Sequence, residues 1–193
     1  MFNDNTAVTP RAWCEIDARS RALGFDMPSE ANTGAMLRLL AASKPSGRLL
    51  ELGTGTGLAT AWLLDGMGAD GTLVSLDNDA SAQAVARAVL GDDPRVIFVI
   101  GDGLDHVRAQ PPASFDLIFA DAWPGKYDGL DETLALLRPG GLYVIDDMSR
   151  QPNWPEGHQP RVDALTARLK SHPDLATVAL DWASGLVIAA RRS

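Results

Sequence analysis

The sequence predicts an α/β fold in which a seven-stranded, mostly parallel sheet carries helices on both faces. Short apolar runs alternate with longer segments of helical period, and Gly, Pro, Asp or Asn bound the runs, as is typical of buried strands. Strands that alternate with helices form right-handed βαβ units and a parallel sheet. The length of 193 residues fits one domain, expected to span residues 1–193.

Two helices are predicted before the sheet, at Pro10–Leu23 and Glu30–Ala42. Thr9 and Ser29 precede them, and both residue types commonly cap helix N-termini. We expect residues 1–45 to form this N-terminal helical part and residues 46–193 to form the core of the domain.

The elements of the core follow from hydrophobic period and from punctuation by Gly and Pro. Strands are predicted at Arg48–Leu52, Thr72–Asp77, Val96–Ile100, Phe115–Asp121, Leu142–Asp146, Thr177–Asp181 and Leu186–Ala190. Helices are predicted at Leu58–Met67, Ala80–Leu90, Gly129–Leu137 and Arg161–Lys170, each closed by Gly or Pro. The link between the last two strands is too short for a parallel crossover, which predicts a C-terminal antiparallel hairpin.

Composition and charge narrow the classes of function. Lys and Arg number 17 against 25 Asp and Glu, a net charge of −8, which argues against nucleic acid as a partner. The single cysteine, Cys14, excludes an internal disulfide and a cysteine-based zinc site. The sequence shows neither a signal-type segment nor an apolar run long enough to span a membrane, so we expect a cytoplasmic protein without a membrane partner.

Carboxylates follow the predicted strands in succession. Glu51 lies in the first strand, Asp77 ends the second, Asp102 follows the third, Asp121 ends the fourth and Asp146-Asp147 ends the fifth. A single Asp at a strand exit is common as a cap or turn residue, but five strands in succession are not explained that way. Ligands of open α/β sheets bind at this edge, and clustered carboxylates favour cations or hydrogen-bond donors there.

A glycine-rich motif, Glu51-Leu52-Gly53-Thr54-Gly55-Thr56-Gly57, runs from the first strand into a helix. Glycines let a backbone turn tightly and approach a ligand, and the helix start offers free amides. The spacing is neither that of dinucleotide folds nor that of phosphate loops, so a pyrophosphate is not indicated. The motif predicts a nucleoside-like ligand, with Glu51 facing an ammonium group, Asp77 the ribose hydroxyls and Asp102 the adenine amino group.

These motifs, with Gly101-Asp102-Gly103 and the run that ends at Asp121, resemble class I S-adenosylmethionine-dependent methyltransferases. The likeness extends from about Ser29 to Arg192 and is greatest to the small metal-dependent O-methyltransferases of the catechol and caffeoyl-CoA type. The resemblance implies a Rossmann-like fold, S-adenosylmethionine as cofactor and a small hydroxylated molecule as methyl acceptor. The cofactor-binding residues that it implies are Glu51, Gly53, Gly55, Gly57, Asp77, Asp102, Gly103 and Asp121.

The resemblance also implies a divalent metal ion, with Asp121, Asp146 and Asp147 as ligands. Strand neighbours end about 5 Å apart, so carboxylates from the fourth and fifth strands can converge on one cation. Oxygen ligands predict Mg²⁺ or Ca²⁺ rather than Zn²⁺. Such an ion would orient the acceptor hydroxyl and lower its pKa.

The sequence departs from that family at two positions. Asp147 stands where the family has Asn, and Pro124 stands where it usually has a lysine near the acceptor hydroxyl. Lys126 can replace that lysine only if the Pro124-Gly125 turn bends it back, and on this basis Lys126 and Asp121 are the expected catalytic residues. Tyr127, like Trp123 four residues before it, matches a substrate-lining aromatic residue of the catechol enzyme or simply anchors the loop.

Other interpretations remain open on the sequence alone. His158, after the Asp pair, is either an acceptor contact or an ordinary loop histidine. The chain could be a metal-free methyltransferase, a non-catalytic cofactor-binding protein or an NAD-type oxidoreductase, although the glycine spacing does not favour the last. A homodimer is also expected, because Trp13, Ile16 and Leu23 are read as exposed apolar residues of the N-terminal helices.

Overall fold

The computed structural model describes residues 8–151 and 154–193, and it has the predicted α/β architecture. The helices described are Trp13–Leu23 (α1), Ala31–Ala42 (α2), Leu58–Gly66 (α3), Ala80–Leu90 (α4), Gly103–Ala109 (α5), Leu130–Ala135 (α6) and His158–Ser171 (α7). The strands are Arg48–Leu52 (β1), Thr72–Asp77 (β2), Val96–Ile100 (β3), Phe115–Ala120 (β4), Leu137–Ile145 (β5), Leu175–Leu180 (β6) and Leu186–Arg191 (β7).

The sheet has the strand order β3-β2-β1-β4-β5-β7-β6. Strands β1 to β5 are parallel, and β7 runs antiparallel to both β5 and β6. The predicted mostly parallel sheet with a C-terminal hairpin is confirmed. The chain moves outward from β1 to β3 and then returns to β4 on the other side of β1. The switch in strand order therefore lies between β1 and β4, where open α/β sheets bind ligands.

Helices cover both faces of the sheet, and the same strands contribute buried side chains to each face. On one face Leu50 and Ile118 pack with residues of α5, α6 and α7. On the other, Leu49 and Leu117 pack with residues of α1 to α4. Because successive side chains of a strand point to opposite faces, strands covered on both sides are apolar throughout, which explains the unbroken apolar runs.

Several boundaries differ from the prediction. The sixth helix ends at Ala135 rather than Leu137, and β5 begins at Leu137, five residues earlier than predicted. Pro139 lacks an amide hydrogen, but the pairing of β4 with β5 shifts register between Phe115 and Leu117, so the strand continues past it. The seventh helix begins at His158 instead of Arg161, because Gly157 takes the N-cap in a left-handed conformation.

The predicted helix caps are wrong for both N-terminal helices. Ala12 and Glu30 occupy the N-cap positions of α1 and α2, and neither side chain bonds to a helix amide. The hydroxyl of Ser29 instead faces Asp121 across the ligand-binding edge, at 3.3 Å. Among the helices described, none combines the length and the apolar character that a membrane span requires.

Candidate active site

Two adjoining cavities lie at the carboxyl ends of β1 to β5. The first, which we call the glycine-loop cavity, has a volume of about 470 Å³ and is lined by the loop after β1 and by the ends of β2 and β3. The second, the aromatic cavity, has a volume of about 350 Å³ and is lined by the loops after β4 and β5. Asp121, Ala122 and Trp123 line both cavities, so groups bound in the two would meet beside these residues.

The glycine loop, residues 53–57, follows β1 and contains glycines at positions where a side chain would not fit. Gly53 has φ +102°, and a Cβ there would lie 3.0 Å from the Asp121 carbonyl oxygen. Gly55 has φ +52°, and its Cβ would lie 3.0 Å from the Phe25 ring. Both residues line the glycine-loop cavity. Gly57 does not line it: a Cβ there would lie 2.6 Å from the Cβ of Ala86, so this glycine lets α4 approach the loop.

Asp77 holds the glycine loop and lines the glycine-loop cavity. Its Oδ2 accepts a hydrogen bond from the Gly55 amide at 2.7 Å, and its Oδ1 accepts one from the Asp79 amide at 2.8 Å. A carboxylate can accept about four hydrogen bonds. The side chain, which is partly exposed, therefore keeps the capacity to accept hydrogen bonds from two ligand hydroxyls.

Asp102 and Gly103 form the far end of the glycine-loop cavity. Asp102 caps α5 by accepting hydrogen bonds from the Leu104 and Asp105 amides, at 2.8 and 3.0 Å. A Cβ on Gly103 would lie 2.7 Å from the Pro124 side chain, so the loop after β4 packs directly on this glycine. Pro124 thus closes the cavity wall at the position where the resemblance expects lysine.

Glu51 lies beneath the loop rather than in the cavity. Its side chain is 0% exposed, and its Oε2 accepts hydrogen bonds from the Ser75 and Thr60 hydroxyls at 2.5 and 2.6 Å. Burial raises the pKa of Glu51 to about 7; the two hydroxyls act against this rise, and the charge of Asp77 adds to it. Glu51 is therefore not positioned to face a ligand ammonium group, and its side chain bonds to residues of β2 and α3 instead.

A buried polar network extends from Glu51 and was not predicted from the sequence. The Ser75 and Thr54 hydroxyls lie 2.7 Å apart, and the Gln83 amide donates to Thr54 at 3.0 Å and to the Val99 carbonyl at 2.9 Å. The network links the glycine loop to β2, β3 and α4. Its one visible sequence signal is Ser75, a polar residue within an apolar strand.

The three predicted metal ligands line the aromatic cavity together. Asp121 accepts a hydrogen bond from the Ser29 hydroxyl at 3.3 Å. Asp146, 2% exposed, accepts from the Ser184 hydroxyl and from the Asp147 amide, the latter at 2.8 Å. The Asp147 backbone adopts φ +54°, uncommon for a residue with a side chain.

Burial and mutual repulsion perturb these carboxyl groups. The pKa of Asp121 is raised well above its ordinary value by burial and then by the charge of Asp146, while Lys126 acts in the opposite direction. Burial also raises the pKa of Asp146 to about 6. The hydrogen bond from the Ser184 hydroxyl lowers this pKa, and the charge of Asp147 raises it further. The cluster is one that a proton or a cation would stabilise.

The carboxylates do not, however, form a metal-holding group as they stand. Across residues 8–151 and 154–193, no three His, Cys, Asp or Glu side chains come together in an arrangement that could hold a metal ion. Asp121 and Asp146 already accept hydrogen bonds from serine hydroxyls, and one oxygen of Asp146 is shared by two donors. The observed donor set does not fit the predicted ion, and metal binding stays a prediction.

Lys126 does reach the site, because the turn before it is tight. The Trp123 carbonyl accepts hydrogen bonds from the Lys126 and Tyr127 amides, at 3.1 and 2.9 Å, and Gly125 has φ +84°. Lys126 is thereby buried, with 5% exposure, in the wall of the aromatic cavity. Its charge acts on Asp121 there.

Four ring side chains form one wall of the aromatic cavity. The rings of Trp123 and Trp154 lie 6.1 and 4.7 Å from that of His158, and the Tyr127 ring lies 5.3 Å from it. The Tyr127 hydroxyl is 3.1 Å from His158 Nε2. The sequence suggested Trp123, Tyr127 and His158 separately, but nothing in their spacing predicted that they form one wall.

Comparisons with known proteins agree with the motifs. Residues 50–148 match the description of a methyltransferase domain. A relative from Mycobacterium sp. strain JLS, provisionally named an O-methyltransferase, is 31% identical over 189 residues, 91% of this chain and 86% of its own length. The chain belongs to the O-methyltransferase family. A provisionally named O-methyltransferase of Mycobacterium avium strain 104 is 36% identical over 137 residues, covering 66% of this chain and 60% of the relative.

A solved O-methyltransferase has the same fold as this family member. The enzyme of Streptomyces achromogenes involved in tomaymycin synthesis, solved in complex with S-adenosylmethionine, superposes with a TM-score of 0.82 at 25% identity and covers 98% of this chain and 94% of its own. The chain spans about 60% of the length of the first curated relatives that it matches. Within the chain, the matched domain includes Asp77, Asp121 and Lys126 but ends before His158.

Proposed function

We propose that this protein transfers the methyl group of S-adenosylmethionine to a hydroxyl of a small molecule. The observation that carries the proposal is the pair of cavities that meet beside Asp121 at the switch point of the sheet. A methyl donor in one cavity and an acceptor in the other would face each other across this boundary. The family relationship and the solved complex of the Streptomyces enzyme with S-adenosylmethionine support the assignment of the donor.

The glycine-loop cavity suits the donor. Gly53 and Gly55 leave room for the methionine part against the backbone, Asp77 would bind the ribose hydroxyls, and Asp102 and Gly103 would contact the adenine. S-adenosylmethionine supplies a methyl group on a positively charged sulfur, which leaves as a neutral thioether. Asp121, at the boundary, would favour the cationic donor over the neutral product through its carboxylate form.

The aromatic cavity suits a small hydroxylated acceptor. Trp123, Trp154 and Tyr127 offer flat apolar surfaces, and Lys126 with the Asp121 and Asp146 carboxyl groups offers polar partners. Binding both substrates in fixed positions supplies much of the rate enhancement for an in-line displacement. A substrate of about the cavity's 350 Å³ is a small molecule rather than a polymer segment.

Binding and turnover test the proposal separately. Titration calorimetry with S-adenosylhomocysteine should show binding, and NADH should not bind. A panel of catechol, caffeate, 3,4-dihydroxybenzoate and aliphatic alcohols, assayed with and without EDTA, should yield an O-methylated product. Loss of turnover in EDTA would support the predicted metal ion, and unchanged turnover would favour the metal-free alternative. Tight cofactor binding without turnover on a broad panel would favour a non-catalytic protein.

A further inference from the structure

The Tyr127 hydroxyl and the His158 imidazole form a polar pair within the ring side chains that line the aromatic cavity. Their polar atoms lie 3.1 Å apart, within hydrogen-bond distance. Both residues line the aromatic cavity together with Asp121, yet they come from different elements, the loop after β4 and the first residue of α7. His158 is only 8% exposed. The hydrogen-bonded pair therefore borders the space assigned to the acceptor.

The surroundings of His158 favour its neutral form. Burial lowers the pKa of His158, the charges of Lys126 and Arg161 lower it further, and the charge of Asp147 opposes them. The position at the N-terminus of a 14-residue helix also disfavours a cation. Trp123 and Trp154, the other rings packed on His158, carry no charge. A neutral imidazole has one nitrogen that can accept a proton.

The surroundings of Tyr127 favour its protonated form. Burial and the charge of Asp147 raise the pKa of Tyr127 to about 12, although Arg161 opposes the rise. The phenol therefore keeps its proton at neutral pH and can donate it to His158 Nε2. Its oxygen lone pairs remain available to a group in the cavity.

We infer that Tyr127 contacts the acceptor hydroxyl as a catalytic residue and that His158 is the positioning residue that receives the relayed proton. The inference rests on the proposed function. As the acceptor O–H bond breaks, its proton passes to the Tyr127 oxygen, and the Tyr127 proton passes to His158 Nε2. The acceptor oxygen bonds to the methyl carbon, and the electrons of the broken C–S bond stay on sulfur. The imidazolium then releases its proton to water.

This relay supplies a proton acceptor, although Pro124 stands where the family usually has a lysine. Lys126 is in the same wall, but an ammonium group has no lone pair and acts as a base only after it loses a proton. In the relay Lys126 acts through its charge, which adds to the effect of burial in lowering the pKa of His158. The relay requires the His158 tautomer with its proton on Nδ1.

Nitrogen-detected NMR of the protein saturated with S-adenosylhomocysteine tests the hydrogen bond directly. The His158 signals, assigned by their loss in His158→Gln, should show a neutral ring with the proton on Nδ1 at neutral pH and an apparent pKa below the ordinary value. His172, which lines neither cavity, is the internal reference. A proton on Nε2, or a charged ring at neutral pH, would overturn the relay whether or not an acceptor is known.

Kinetics on the best acceptor of the panel test the catalytic role. Tyr127→Phe and His158→Gln should each lower kcat by roughly a hundredfold, the lower end of the range for acid–base groups, and leave S-adenosylhomocysteine affinity within about twofold. The acidic limb of the wild-type kcat profile should become shallower in His158→Gln, because the contribution of His158 is removed while Asp121 and Asp146, whose pKa values are raised, still titrate. His172→Gln is the matched control and should keep both rate and limb.

The outcomes separate the relay from the proposed function. If no acceptor is methylated, the proposed function fails, and the tautomer measurement still decides the relay's hydrogen bond. If acceptors are methylated and both variants keep the wild-type kcat and pH profile, the relay is wrong and the function stands. If His158→Gln does not fold, Tyr127→Phe removes only the hydroxyl and decides the kinetic test.

Discussion

Replacing Glu51 by Gln tests the buried network beneath the glycine loop. The folded chain raises the Glu51 pKa from 4.5 to about 7, chiefly through burial. Below the lower value the carboxyl is protonated in both states, and between the two values the unfolded chain releases a proton that the folded chain retains. Stability due to this group therefore falls as pH rises through this window and stays low above it. At about 1.4 kcal/mol per pKa unit, the full loss is about 3 kcal/mol.

The assay is urea unfolding of wild type and Glu51→Gln at several pH values. Gln is close in size and shape to Glu and carries no titrating group, so the variant lacks this loss. The stability of the variant relative to wild type should increase by about 2.5 kcal/mol between about pH 5 and about pH 8. Asp121 and Asp146 also titrate with raised pKa values, but their contributions are present in both proteins and cancel in the difference.

An exposed glutamate provides the control for that series. Glu156→Gln makes the same substitution at an exposed position and controls for the loss of a carboxylate from the protein surface. A Glu51→Gln difference that does not vary with pH would contradict this prediction, because it would mean that the folded protein does not hold Glu51 in its neutral form at pH values where the unfolded chain is ionised.

Further predictions concern the cofactor, the carboxylate cluster and assembly. Asp77→Ala should weaken S-adenosylhomocysteine binding by roughly 5- to 150-fold in calorimetry, the equivalent of about 1–3 kcal/mol of lost hydrogen bonding, and unchanged affinity would remove Asp77 from the site. Gly53→Ala should weaken the same binding at least tenfold, whereas Gly140→Ala, at a similarly positive φ but in open space, should leave it unchanged. Asp146→Ala should abolish turnover with cofactor affinity nearly intact; unchanged turnover would exclude an essential role for this carboxyl group. Light scattering at micromolar concentration should give the mass of a dimer, and a monomer mass would contradict that expectation.

The dimer prediction keeps only part of its original basis. Leu23 is 46% exposed, as expected, but Ile16 is 0% exposed and packs in the core, and Trp13 is partly buried against the same cluster. The sequence of a single helix does not show which of its apolar residues pack against another helix of the same chain. Here α1 packs on α3 and α4 and covers Ile16.

The strands of the sheet were predictable where turn residues bound an apolar run. The bounds of β1, β2 and β3 agree with the prediction because turn residues end each apolar run. The start of β5 was missed because Pro139 and Gly140 usually terminate structure, and the strand tolerates them through a register shift that depends on β4. Local sequence carries no information about such a partner.

The candidate site likewise contains residues that could be placed from the sequence and residues that could not. Asp77, Asp102 and Asp121 could be placed because strand ends share one edge of a parallel sheet. Glu51 was placed in the cavity, but strand alternation turns it beneath the loop, toward Ser75 and Thr60. The pairing of Tyr127 with a histidine on α7 joins positions far apart in the chain, and only the packed loops bring them together.

The most direct test of methyl transfer is mass spectrometry of acceptors incubated with S-adenosylmethionine that carries a deuterated methyl group. Wild-type protein should place the labelled methyl on an acceptor oxygen and form an equal amount of S-adenosylhomocysteine. Asp77→Ala should do so more slowly at limiting cofactor, and Asp92→Asn, an exposed carboxylate outside both cavities, should match wild type. Cofactor binding without labelled product from any hydroxylated acceptor, or label on nitrogen alone, would contradict the account.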